Sequence, residues 1–264
     1  MSTESAVPAA STEDWWGEVW AVFRKDLRSE LRTRAAISTI LLFAVVTLII
    51  VAYTVPREGE GLTVVGLVDN YRELLRRNLD AEILHTVPEG TQTRHLLLSA
   101  LLWIILFFSA MAGLPRTFVK EEEMGTAPAL RLTARSSAVF TGKLLFNAGL
   151  MLGVTAVVLP LYLVLLIPWI RNWPLFLAFV TVGSVGMACS ATIIGAMVAR
   201  AGGKAYLMLP LAFPILLPIL VFSINGTAAA SRGIPGNQMV ALVSYVVAMV
   251  TLSALLFDRV WSDA

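Results

Sequence analysis

Six stretches of this chain contain no Asp, Glu, Lys or Arg and are each long enough to cross a lipid bilayer: Ala35 to Val55, His95 to Pro115, Leu144 to Ile170, Asn172 to Ala199, Ala205 to Ser231 and Gly233 to Phe257. About 30 Å of hydrocarbon takes roughly 20 helical residues at about 1.5 Å each. Hydrocarbon offers no hydrogen bonds, so a spanning segment must satisfy its backbone internally, and an open run of this length does so only as a helix. The expectation is an all-α polytopic membrane protein with six transmembrane helices. Composition agrees, since charged residues make up 14% of the chain against about 25% in a soluble domain. The formal charge of +2 gives no footprint for nucleic acid.

The cations set the orientation. With a cytoplasmic N-terminus, only seven of the 20 Lys and Arg lie outside: Arg57, Arg72, Arg76, Arg77 and Arg94 in one long loop, and Arg171 and Arg232 in two short turns. Both termini are therefore expected in the cytoplasm, with the chain in a cytoplasmic (inner) membrane. Trp169 and Trp173 then suit an outer aromatic belt and Trp261 an inner one. Residues 1–12, rich in Ser, Ala, Thr and Pro, read as disordered, and 13–264 as one membrane domain. No apolar stretch precedes residue 35, which argues against a signal peptide.

Ahead of the first span, "EDWWGEVWAVFRKDLRSELRTR" places Trp16, Val19, Phe23, Leu27 and Leu31 at helical spacing, with Arg24, Lys25, Arg28 and Arg32 largely elsewhere. This predicts an amphipathic helix in the inner interface, its tryptophans at headgroup depth and its cations toward anionic lipid. It serves either as an anchor or as an elbow packing against a neighbouring subunit. The loop 56–94 between the first two spans holds strand-like "LTVVGLVDN" and helical "YRELLRRNLDAEILHTV", a small cap outside the membrane.

The sequence holds few residues suited to chemistry. "ARAGGKAY" at 199–206 lacks the first glycine and the Ser/Thr of a phosphate-binding loop, and reads as an inner turn in which Gly202 and Gly203 supply positive φ. His85 and His95 stand ten residues apart, not at the spacing that puts two ligands on one helical face. Cys189 is the single cysteine and lies in an apolar run, so it reads as a small core residue. No catalytic residue, metal site or bound cofactor is expected. The last four apolar runs, from Leu144 on, carry no charge, so proton coupling is a poor reading and any energy must come from a partner.

The docking site for such a partner is the inner segment "RTFVKEEEMGTAPALRLTARSSAVFTGK", residues 116–143. Lys120, Glu121, Glu122 and Glu123 are expected to open a short helix, Gly125 and Pro128 to interrupt it, and Leu130 and Leu132 to pack down before the third span. In the fifth span Pro210, Pro214 and Pro218 fall four residues apart. Each interior proline costs about 3 kcal/mol in a soluble helix and frees the carbonyl four residues earlier, here those of Tyr206, Pro210 and Pro214. The freed groups are expected on one face, toward the bundle or an inter-subunit cavity, as a hinge coupled to opening or as a static kink.

"FRKDLRSELRTR", "FVKEEEMGTAPALRLTARSSAVFTGKLLFN" and "GMACSATIIGAMVARAGGKAYLMLPLAFPILLPIL", in this order, make the chain similar to the CcmB family, the permease subunit (haem exporter protein B) of the cytochrome c maturation ABC transporter. The resemblance implies a permease of the ABC-2 exporter type that pairs with a second copy and with separate cytoplasmic ATPase subunits, ATP being bound by the partner. It implies a coupling helix after the second span, placed here at Lys120, Glu121, Glu122, Glu123, Met124 and Gly125. It also implies work with a haem-handling membrane protein and a haem chaperone, with haem as the possible cargo. The loop of about 39 residues after the first span is longer than this family usually has, and "VVGLVDN" is similar to the outer segment of broader ABC-2 exporters, which leaves lipid, drug or glycan as alternative substrates. A third reading is an assembly factor that transports nothing and uses ATP-driven movement to release the loaded chaperone.

Overall fold

The computed structural model describes residues 12–33, 35–54, 90–114, 116–166, 168, 170–200, 208–234 and 238–262. Among them lie nine helices and no strand: α1 (Thr12–Thr33), α2 (Ala35–Thr54), α3 (Gly90–Gly113), α4 (Arg116–Glu123), α5 (Ala127–Thr133), α6 (Ser136–Leu166), α7 (Trp173–Arg200), α8 (Met208–Arg232) and α9 (Gln238–Ser262). The protein is an all-α, polytopic membrane protein. Residues 1–11, nearly all of the loop 56–94, Trp169, Gly202 and Gly203 lie outside the described residues.

Among the described residues, five stretches are long and apolar enough to cross a membrane: Thr93–Glu123, α6, α7, and the greater part of α8 and of α9. The pair Trp15–Arg32 and Ile37–Tyr53 passes the same test when taken together and is bent by 65° at its junction. Glu30 stabilises the bend, its carboxylate accepting the Ile37 N–H at 3.0 Å in the first turn of α2, where no intrahelical acceptor exists. Helix α1 therefore turns away from the span axis and lies across one end of the bundle.

Helix α7 is the axis of the fold. Its apolar window is 72% buried, against 22% for α9. From Gly183 to Ala199 its buried face is largely Gly, Ala, Ser and Cys, including Cys189, and small residues let helix backbones approach where no hydrophobic effect drives association. Its start is set by Asn172, whose Oδ1 accepts the Leu175 N–H at 3.2 Å, followed by Trp173 and Pro174 in the first turn. Side-chain hydrogen bonds join the neighbours to it: Asn147 Nδ2 of α6 donates to Thr192 Oγ1 at 2.9 Å, and Thr155 and Ser184 hydroxyls pair at 3.1 Å. Trp103 Nε1 of α3 donates to Thr227 Oγ1 of α8 at 3.2 Å. Such bonds contribute about 0.6 kcal/mol each in a bilayer and chiefly fix register.

One boundary differs from expectation by a full two turns. The charge on Lys143 predicts a third span from Leu144, yet α6 begins at Ser136 and Lys143 is fully buried inside it. A helix need not end at a charge when other segments supply that charge with partners.

Candidate functional site

Helices α1, α4 and α5 gather at the end of the bundle where α6 begins. Val19, Val22 and Asp26 form the face of α1 that packs against this end, at 1%, 4% and 8% exposure. Gly142 makes the approach possible, since a Cβ there would lie 2.8 Å from both the Val19 carbonyl oxygen and Val22 Cβ. Two more contacts hold α1 across the start of α6: Glu18 accepts the Arg135 N–H at 3.1 Å, and Trp15 Nε1 donates to Ser137 Oγ at 3.1 Å. Trp16 and Trp20 are exposed, as an interfacial helix requires. Of the predicted stripe from Trp16 to Leu31, Val19 is buried against the bundle and Phe23 and Leu27 are half-buried, while Trp16 is exposed. Leu31 is exposed, and the core side lies further round the helix, because α1 meets its own chain on one side and faces lipid on another.

Between these helices sits a buried charge cluster that the linear sequence does not display. Lys143 Nζ of α6 donates to Asp26 Oδ2 of α1 at 3.1 Å, to Glu121 Oε1 of α4 at 2.9 Å and to the Thr117 carbonyl at 2.8 Å. Its three protons thus have three acceptors. The half-exposed Lys25 donates to the same Glu121 oxygen and lies 3.8 Å from Asp26 Oδ1. Two cations and two carboxylates balance, which is what burial of charge demands. The Phe118 ring lies 4.8 Å from Lys143 Nζ and passes contact on to Phe257 and Trp261 at 5.7 and 6.2 Å. Burial pushes the Asp26 carboxyl above its ordinary range, and the Lys143 and Lys25 ammoniums pull it back in part.

Helix α4 thus has two faces of opposite use. Glu121 points inward at 4% exposure, and Lys120 turns to α1, donating to Ser29 Oγ at 2.7 Å. Glu122, Glu123, Met124 and Gly125 form an exposed tip. The acidic run closes the helix that begins at Arg116 instead of opening one, since Phe118 and Val119 pack upstream and give the helix its anchor. Gly125 ends it at φ 66°, with the Thr126 N–H on the Glu121 carbonyl at 2.9 Å and the Gly125 N–H on the Glu122 carbonyl at 3.1 Å, a Schellman stop that favours glycine. Pro128 then falls in the first turn of α5, where a missing N–H costs nothing. Leu130 packs down, whereas Leu132 is 89% exposed and joins the tip.

Trp261 corrects the aromatic belt: it is buried, stacks on Phe257 at 5.4 Å and receives the Arg131 guanidinium 5.0 Å above its ring. The prolines are not brought to this site. Pro210 stands in the first turn of α8, where donors have no intrahelical acceptors, so only Pro214 and Pro218 interrupt the ladder. Pro210 and Pro214 are exposed, so their face turns away from this chain's own bundle. Close to Pro218, the Tyr245 hydroxyl of α9 donates to the Ile215 carbonyl at 2.9 Å and ties the proline-bearing segment to its neighbour.

Spacing could have flagged part of the cluster. Val19, Val22 and Asp26 are three and then four residues apart, which puts an acid on an apolar helical face, and Lys143 and Asn147 are four apart at the head of an apolar run. Nothing in the chain order pairs residue 26 with 121 or 143.

Comparison with curated proteins returns no match. Residues 84–259 match the CcmB protein family, a stretch that includes Glu121, Lys143, the helices α3 to α8 and nearly all of α9, and leaves α1 and α2 ahead of it. With most of its length matched and its polytopic helical architecture established, the chain belongs to the CcmB protein family.

Proposed function

We propose that this protein is the permease subunit of an ABC transporter complex that exports or delivers haem during c-type cytochrome biogenesis, with ATP bound and hydrolysed by a separate cytoplasmic subunit. The observation that carries the reading, beside family membership, is the exposed tip Glu122, Glu123, Met124 and Leu132 on two short helices that are locked to the bundle behind it. A contact that transmits force needs a rigid mount and an accessible surface, and α4 combines them. The end of the bundle bearing α1, α4 and α5 faces the cytoplasm in this reading, in agreement with its Lys and Arg content. A second copy of the chain pairs with it, and the exposed face of α8 around Pro210, Phe213 and Pro214 is available to that copy. Haem is the cargo, not a resident cofactor, and a haem-handling membrane protein and a chaperone act beside the complex.

The test is a peroxidase stain for covalent haem in membranes of cells lacking this chain, before and after the gene is restored. Loss of c-type cytochromes with recovery on complementation is the expected result. Normal cytochromes in the deletion strain would remove haem delivery and leave an exporter of other cargo.

A further inference from the structure

The cluster accounts for one oxygen of Glu121 and leaves the other. Oε1 accepts from Lys143 and Lys25, whereas Oε2 is buried without a hydrogen-bond partner. Two donors are in the same condition, Arg131 Nε of α5 and Trp261 Nε1 of α9. All three residues line one small cavity between α4, α5, α7 and α9, with Phe118, Ala196 and Ala199 as its apolar walls. The cavity is about 10 Å³, the space one water requires, and a buried water needs two to four polar partners. A water placed there would find two donors, Arg131 Nε–H and Trp261 Nε1–H, and one acceptor, Glu121 Oε2, among the lining residues.

We propose that Glu121 is a two-sided positioning residue. One oxygen fixes the coupling helix to α6 and α1 through Lys143 and Lys25; the other fixes it, through a single water shared with Arg131 and Trp261, to α5 and the C-terminal helix α9. This rests on the reading of α4 as the coupling helix. Glu121 was expected among the residues that meet the ATPase; the geometry makes it the joint behind that contact. Movement imposed on the tip then reaches the third span and the last span together, because the same carboxylate holds both. Replacement of the joint by neutral groups leaves a packed helix that turns without carrying its neighbours.

The experiment uses the full chain co-expressed with its ATPase, with three readouts: co-purification of the two, ATP hydrolysis by the complex, and covalent haem in c-type cytochromes. Alanine at Glu122, Glu123 and Met124 together tests the coupling reading, and loss of co-purification is expected. If association and hydrolysis survive that change, the coupling reading fails and the joint with it. The double variant Glu121→Gln/Lys143→Met leaves no lone buried cation and tests the joint: co-purification and hydrolysis persist while cytochrome haem per ATP hydrolysed falls about tenfold. A wild-type ratio, or loss of the complex altogether, overturns the positioning role while the tip result stands. Trp261→Phe preserves the ring packing and removes only the N–H; a two- to threefold fall in the same ratio is expected on the scale of one lost hydrogen bond, and no change overturns the water-mediated half.

Discussion

The charged end of the bundle and the proline-bearing span α8 solve the problem of a polar group in an apolar setting in opposite ways. At the charged end, Lys143, Asp26 and Glu121 are drawn from three helices and pair their charges inside the protein. In α8 the polar groups are backbone carbonyls released by Pro214 and Pro218, fixed by the local sequence and partly turned outward. The first arrangement stores its stability in contacts between distant segments and is sensitive to loss of any partner. The second is distributed along one helix and tolerates change. A joint belongs at the first, and a bend at the second.

The most direct way to break this contrast is Lys143→Met, which leaves Asp26 and Glu121 buried near the half-exposed Lys25 alone. Loss of one partner of a buried pair costs about 3–5 kcal/mol, so a large drop in the detergent unfolding midpoint is expected, while the matched neutral set Lys143→Met/Asp26→Asn/Glu121→Gln recovers most of it. Equal midpoints for the single and triple variants would remove the distinction. Gly142→Leu comes next, because its Cβ would lie 2.8 Å from the Val19 carbonyl oxygen and Val22 Cβ. Overpacking of about 1–3 kcal/mol should push α1 off α6, visible as faster proteolysis after residue 33.

On the α8 side the effects are smaller. Tyr245→Phe removes the hydroxyl from Ile215 and should cost about 0.6 kcal/mol, a shift near the limit of a thermal melt. Alanine at Pro214 and Pro218 restores two ladder bonds and should leave the melt unchanged or raised. Unchanged cytochrome maturation in that variant would make the bend static.

Asp26 holds its proton more tightly when folded than unfolded, so its contribution to stability is greatest below the ordinary carboxylate value and falls as pH rises through the raised one. Asp26→Asn should flatten that dependence, and an unchanged pH profile would show that Asp26 does not cause it.

Much of this architecture is legible in order of sequence. Six uncharged runs dictate helices because hydrocarbon leaves no other way to satisfy a spanning backbone, and Gly125 stops α4 because only a residue free at positive φ closes that turn cheaply. The candidate site was half legible. The run Glu121 to Met124 marks the segment, but consecutive carboxylates look alike in sequence, and which one turns inward depends on where Lys143 and Lys25 stand. The length and composition of each helix are local properties, set by bilayer thickness and by the cost of a lone charge in lipid. The burial of Lys143, the inward face of α1 and the two sides of Glu121 were decided only by tertiary structure, because a buried charge is stable through partners that packing brings from more than a hundred residues away or from the next helix, and no local pattern specifies them.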